Sequence, residues 1–249
     1  MTMRQIDETN AAAARELAPS GTLKAAINLG NSVLAQPGEN GGDPKGVTVD
    51  LARELARRLN LPLQLVLYNA AGHVFAAAEN AEWDVAFLAI EPERAKKVSF
   101  SPPYLTLEGT YLVHDRYLHL STADFDHPDA RIAVTENAAY DLYLTRTLKH
   151  AKLVRASTPP AALHMFLDKK LDALAGVREI LVSYLDAEAG LSILPDQFSS
   201  IQQAVGVPVG RPLAAAFVHD FVTNLKTTTF VRDALMPRVP IVGASISRS

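Results

Sequence analysis

The stretch Asp84-Val85-Ala86-Phe87-Leu88-Ala89-Ile90-Glu91-Pro92-Glu93-Arg94-Ala95-Lys96-Lys97-Val98-Ser99-Phe100-Ser101-Pro102-Pro103-Tyr104 decides how the rest of the chain is read. Its first half is an apolar run of strand length, with the composition of a strand buried on both faces. The run stops at an acidic turn containing Pro92, so Arg94 stands a few residues past the carboxyl end of a strand. In an open α/β sheet, ligands bind in the crevice outside those carboxyl ends, where a guanidinium is placed to grip an anion. Arg94 is therefore the leading candidate site residue. The competing reading makes it a solvated residue of a short helix, paired at the surface with Glu91 or Glu93.

Upstream of this stretch, Leu23 to Asn28 reads as a strand and Gly30-Asn31-Ser32 as a loop. Gln36 to Gly46 is dense in turn formers and fits a surface hairpin; it lacks the Gly-Lys-Ser/Thr ending of a phosphate cradle. From Val47 to Asn60 the pattern is helical, with Leu51, Leu55 and Leu59 on one face, Asp50 in the first turn and Arg57 and Arg58 in the last. Pro62 forbids continuation, Leu63 to Leu67 alternates as a strand, and Ala71 to Ala78 is a short helix. Strand, helix, strand, helix, strand is the order of a parallel sheet with crossover helices.

Downstream, Thr110 to Val113 is a strand that leaves this first unit, and the alternation then restarts. Strands are expected at Arg131–Val134, Lys152–Val154 and Leu171–Gly176, and helices at Ala138–Lys149, Pro159–Asp168 and Glu179–Ala187. One more strand is expected at Gln202–Val207, with helices at Pro212–Lys226 and Thr229–Leu235 closing the chain. Two α/β lobes joined by two strand-like segments make a cleft with a hinge.

Composition narrows the function. The chain has 249 residues, 48% hydrophobic and 20% charged, enough for one large or two small globular domains. A net charge of −3 gives no electrostatic reason to expect nucleic acid as partner. Cysteine is absent, which excludes disulfides and thiolate metal sites. The seven histidines do not cluster and no His-Glu-x-x-His pattern occurs, so no metal is expected. Neither a Gly-x-Ser-x-Gly elbow nor a Gly-x-Gly-x-x-Gly loop after a strand is present, so no cofactor is expected. No apolar run approaches the roughly 18 residues of a membrane span. The acidic, weakly apolar start, Met1 to Pro19, does not read as a signal peptide, so the expected location is periplasmic if a leader has been removed and cytoplasmic otherwise.

From Gly21 to about Leu235 the chain resembles the solute-binding proteins of bacterial ABC transporters, family 3, the polar amino acid type. The matching stretches are Gly46-Val47-Thr48-Val49-Asp50-Leu51-Ala52, Trp83-Asp84-Val85-Ala86, Glu91-Pro92-Glu93-Arg94, Val98-Ser99-Phe100-Ser101-Pro102-Pro103-Tyr104 and Leu171-Asp172-Ala173. The resemblance implies a two-lobe type II periplasmic-binding fold: lobe 1 from residues 20–110 plus 204–249, lobe 2 from 111–203, and an N-terminal extension at 1–19. It implies capture of a small molecule between hinged lobes, by a monomer or weak dimer, and delivery to a transporter permease or a sensor. It also implies that Arg94 forms a bidentate pair with the ligand's carboxylate.

Other positions depart from the family pattern. Phe87 and Ala89 stand where small hydroxyl residues usually line the strand end, and Asn137-Ala138-Ala139 replaces a Gly-Thr-Thr type loop. Val177, next to Arg178, stands where an aspartate commonly receives the ligand's ammonium group, and Asn31 and Ala71 stand where aromatics cover the ligand. An ammonium without a carboxylate partner costs several kcal/mol, unless Glu108 or Glu179 supplies the charge. The expected ligand is thus a small carboxylate or dicarboxylate held by Arg94 and Arg178, with Phe87, Tyr111 or Tyr140 facing an apolar part. Asn137 to Tyr140 opens a helix whose N–H groups could hold an anion, or whose start Asn137 caps for stability alone, and Gln202 at the second crossing could touch the ligand. The runner-up function is a cyclohexadienyl dehydratase-like enzyme, with Glu108 or Glu179 as general acid.

Overall fold

A computed structural model describes residues 3–186 and 189–235. Helix α1 (Met3–Leu17) leads into β1 (Leu23–Asn28), α2 (Val47–Leu59), β2 (Leu63–Tyr68), α3 (Ala71–Ala77) and β3 (Val85–Ala89). The one-turn α4 (Pro92–Ala95), β4 (Val98–Phe100) and the long β5 (Leu105–His114) follow. The second alternation comprises β6 (Arg131–Thr135), α5 (Ala139–Thr147), β7 (Lys152–Ala156), α6 (Pro159–Asp168), β8 (Ala173–Val177) and α7 (Arg178–Leu185). Strands β9 (Leu191–Ile193) and β10 (Ser199–Pro208) and helices α8 (Pro212–Lys226) and α9 (Phe230–Leu235) complete it.

The strands hydrogen-bond in the order β2-β1-β3-β10-β5-β8-β6-β7, with β4 on β10 and β9 on β5. Lobe 1 is the parallel set β2-β1-β3 with β10 antiparallel to β3; lobe 2 is the parallel set β7-β6-β8 with β5 antiparallel to β8. Each long strand belongs to both lobes. Leu105 to Gly109 of β5 pairs with Gln203 to Ser199 of β10, and Gly109 to Val113 of β5 then pairs with Val177 to Ala173 of β8. Both long strands begin before their expected starts at Thr110 and Gln202, because the joining segments are themselves sheet rather than loop.

β3 is buried at all five positions, between β1 and β10, as its unbroken apolar run requires. The α2 stripe of Leu51, Leu55 and Leu59 packs into the lobe 1 core, and the αL backbone of Asn60 (φ 51°) ends that helix. Gln36 bridges Lys45 in antiparallel register, which confirms the turn between them as hairpin-like.

The C-terminal end of the first helix packs on the first lobe. Ala13, Leu17 and Ala18 are buried, and the Glu16 carboxylate accepts the Ala214 N–H (2.7 Å), satisfying a free amide in the first turn of α8. Arg211 donates to the Leu17 carbonyl (3.1 Å) and pairs with Asp84 (3.2 Å). The other Asp84 oxygen accepts the Lys24 N–H at 3.0 Å. One largely buried carboxylate thus ties the starts of β1 and β3 to α8 and, through Arg211, to α1. The part of the expected lobe 1 beyond Leu235 lies outside the described residues.

Asp84→Ala leaves Arg211 and the Lys24 amide unpaired and is expected to lower stability by about 3 kcal/mol. Asp84→Asn, which keeps an acceptor, costs less. Urea unfolding midpoints of both variants check the order.

Candidate functional site

Between the lobes, outside the carboxyl ends of β1, β3, β6 and β8, lies a small cavity of about 50 Å³. Lobe 1 lines it with the loop after β1, the end of β3 and Arg94; lobe 2 contributes Thr135, the start of α5 and Val177; Ile201 and Gln203 of β10 also line it. Its lining is mostly apolar. Among the described residues that line it, Arg94 is the only charged side chain.

Arg94 is held by the local chain. Pro92 starts α4 directly after β3, and the single turn brings the guanidinium back over the strand end, where Nη1 donates to the Ala89 carbonyl (3.1 Å). Nη2 crosses to lobe 2 and donates to the Asn137 carbonyl (2.9 Å). Nε has no partner among the described residues. The side chain is 1% exposed. Burial pulls its pKa down to about 10, against the opposing pull of the Glu91 charge, so it remains a cation at neutral pH. The surface-pair reading fails: Glu93 pairs with Lys96 (2.6 Å), and Glu91 pairs across the cleft with Arg146 of α5 (2.7 Å). The lobes also meet where Gly72 of α3 packs on Asn137. A Cβ on Gly72 would stand 2.9 Å from the Asn137 Cβ and from the Glu136 carbonyl oxygen, closer than packed atoms tolerate.

Asn31, Phe87, Ala89, Ala138 and Tyr140 line the cavity with Arg94, as do the departure positions Ala71 and Val177. Asn31 spends its side-chain oxygen on the Val33 N–H (3.2 Å). Asn137 takes part through its backbone carbonyl, not as a cap. Its φ is 57°, its N–H is taken by the Asp141 carboxylate (2.8 Å), and Ala138 is the residue that precedes α5.

Other expected positions lie elsewhere. Gln202 is exposed and faces away; Gln203, the next residue of the same strand, is 5% exposed and lines the cavity, since successive side chains take opposite faces. Arg178 does not face the cleft. Its guanidinium donates to the carbonyls of Leu194 (3.0 Å), Pro195 (3.1 Å) and Asp196 (3.1 Å) and pairs with Glu108 (2.6 Å), which ties the 194–196 loop to β5. Glu108 is therefore occupied by Arg178 and lines no part of the cavity.

Glu179, the second residue of α7, is 8% exposed, and neither carboxylate oxygen is hydrogen-bonded to another side chain among the described residues. It also lies outside the cavity lining. Burial raises its pKa above the ordinary 4.5; its own backbone amide opposes that, the Glu108 charge adds to it, and Arg178 opposes it. No group of three or more His, Cys, Asp or Glu with metal-binding geometry occurs among the described residues.

With the geometry established, comparisons place the chain among known proteins. The family described as bacterial extracellular solute-binding proteins, family 3, matches residues 34–228. The virulence sensor protein BvgS of Bordetella bronchiseptica is 30% identical over 141 residues, 56% of this chain and 11% of that protein, so the chain spans about a tenth of that relative's length. Among solved structures, an ancestral amino acid-binding protein, AncCDT-1, a precursor of cyclohexadienyl dehydratase, matches with TM-score 0.75 at 21% identity, covering 90% of this chain and 98% of that one. An amino acid ABC transporter substrate-binding protein of Streptococcus pneumoniae, bound to L-arginine, matches with TM-score 0.76 at 18% identity, covering 92% and 99%. These likenesses establish the two-lobe type II periplasmic-binding fold.

The raised pKa of Glu179 has a pH signature. An acid whose folded pKa exceeds its unfolded one adds stability below the unfolded pKa, and that stability is lost as pH rises through the folded value. Relative to wild type, Glu179→Gln is therefore expected to gain stability progressively as pH rises from about 4.5 toward neutrality. Urea midpoints measured in steps across that range check it; a constant difference between the two proteins contradicts it.

Proposed function

Because the chain belongs to the bacterial extracellular solute-binding proteins, family 3, we propose that it captures a small organic carboxylate between its lobes and presents it to an ABC-type permease or a sensor. The supporting observation is Arg94: a cation removed from water, hydrogen-bonded to two backbone carbonyls and facing a cavity with no other charged side chain among the lining residues. A guanidinium has five N–H donors, and a carboxylate matches its fork. Two are used here, leaving Nε–H and one N–H on each terminal nitrogen for a ligand.

The same inventory argues against a zwitterionic amino acid. Val177 lines the cavity where an acidic partner for an ammonium is expected, Glu108 is paired with Arg178, and Glu179 lies outside the lining. A buried, unpaired ammonium costs several kcal/mol. With Arg178 turned away, one cation remains, which favours a monocarboxylate over a dicarboxylate. Catalysis is the less supported reading, since neither Glu108 nor Glu179, the carboxyl groups considered as general acids, reaches the cavity. Release and capture follow from hinge motion of the crossing segments β5 and β10, with the ligand favouring the closed state through contacts to both lobes. Lobe 1 then comprises residues 20–110 and the chain after 203, and lobe 2 the residues between. Capture outside the cytoplasmic membrane fits the family's description.

Isothermal titration with a panel of organic acids and the common amino acids tests the reading. An organic monocarboxylate is expected to bind, and Arg94→Ala to weaken it at least about a hundredfold. Arg94→Lys, which keeps the charge and loses the fork, falls between. Tight binding of an ordinary amino acid that survives Arg94→Ala would overturn it.

A further inference from the structure

The volume around Arg94 sets a limit on the ligand. At about 10–15 Å³ for each water-sized group, an inner cavity of about 50 Å³ has room for a carboxylate head, and a longer molecule extends beyond it.

A larger space adjoins it. The inner cavity shares Gly30, Pro159 and Ile180 with a second, wider cavity of about 470 Å³ at the cleft mouth. Leu29 and Pro37 of lobe 1 and Pro160 and Tyr184 of lobe 2 are among its walls, and its hydrogen-bonding groups, such as Ser32 and Ser183, are neutral. No charged side chain is among the residues that line it.

We infer that this outer cavity is the subsite for an uncharged, largely apolar extension of the ligand, so that the captured molecule is a long-chain or aryl-terminated monocarboxylate lying from Arg94 out between the Pro37 and Pro160 walls. The inference rests on Arg94 as the carboxylate anchor and adds the chemistry of the other end. The two lobes then grip different parts of one molecule. The head sits against Arg94, and the tail joins the loop after β1 to the start of α6 and to Ile180, Ser183 and Tyr184 of α7.

The test is a titration series on the full chain, from acetate through phenylacetate and 3-phenylpropionate to 5-phenylpentanoate, repeated on Ser183→Glu. Ser183 is exposed on α7, and a glutamate there brings a charge to the outer cavity. Affinity is expected to rise along the series by about fourfold per added methylene until the tail clears the cavity. In Ser183→Glu the ratio of long-chain to short-chain affinity is expected to fall by about tenfold or more. Carboxylates that bind with affinity independent of length, or an unchanged ratio in the variant, overturn the outer subsite and leave the Arg94 anchor standing. If no carboxylate of the series binds, anchor and subsite fall together.

Discussion

A guanidinium withdrawn from water, with no carboxylate hydrogen-bonded to it among the described residues, is the constraint on which the arrangement between the lobes depends. Arg94 keeps its charge at neutral pH although burial works against it, and what compensates is a set of backbone dipoles. The Ala89 carbonyl comes from the strand that Pro92 terminates, and the Asn137 carbonyl from the opposite lobe. Asn137 presents that carbonyl because its own backbone is in the left-handed region, which asparagine tolerates better than most residues, with its N–H taken by Asp141. Neutral acceptors offset part of the desolvation cost; an anion would offset more. A buried cation next to a small cavity is thus both a stability cost and a binding potential.

The rest of the fold holds these groups in register. Strand β3 is fixed between β1 and β10, and Asp84 locks its start to α8 and α1, so the short turn carrying Arg94 stands on a rigid base. Across the cleft, the Glu91–Arg146 pair and the close approach of Gly72 to Asn137 bring the lobes together at the same end as Arg94. Arg146 is 38% exposed, so its pairing is screened and modest in energy. Closure then rests on a few weak polar contacts and one tight packing point, with the paired strands β5 and β10 running through both lobes. Under the proposed function, a ligand touching both sides would bias that closure.

Much of this was legible from sequence because it is written locally. An apolar run ending at a proline turn marks β3 and places Arg94; the leucines of α2 show its buried face; the restart of alternation after Thr110 shows the second lobe. What was not legible depends on register or on distant backbone. Gln202 and Gln203 are identical in chemistry, and only the parity of β10, set by its pairing with β5 and β3, decides which faces the cavity. Arg178 stands beside a cavity position in sequence, but its partners are Glu108 of β5 and carbonyls at 194–196 on a loop with no signal in its vicinity. Strands β4 and β9 are three residues each, too short to show a period. The helix after Asn137 was expected, whereas the αL turn that aims its carbonyl at Arg94 was not.

The most direct test of the central claim observes the Arg94 Nε–H itself. In ¹H–¹⁵N spectra of arginine side chains, its resonance is identified by its loss in Arg94→Lys. The account predicts slow exchange with water in the ligand-free protein, as burial requires, and a downfield shift that saturates as a carboxylate ligand is added. A resonance that exchanges as fast as those of the exposed arginines, or that stays in place at saturation, would contradict it.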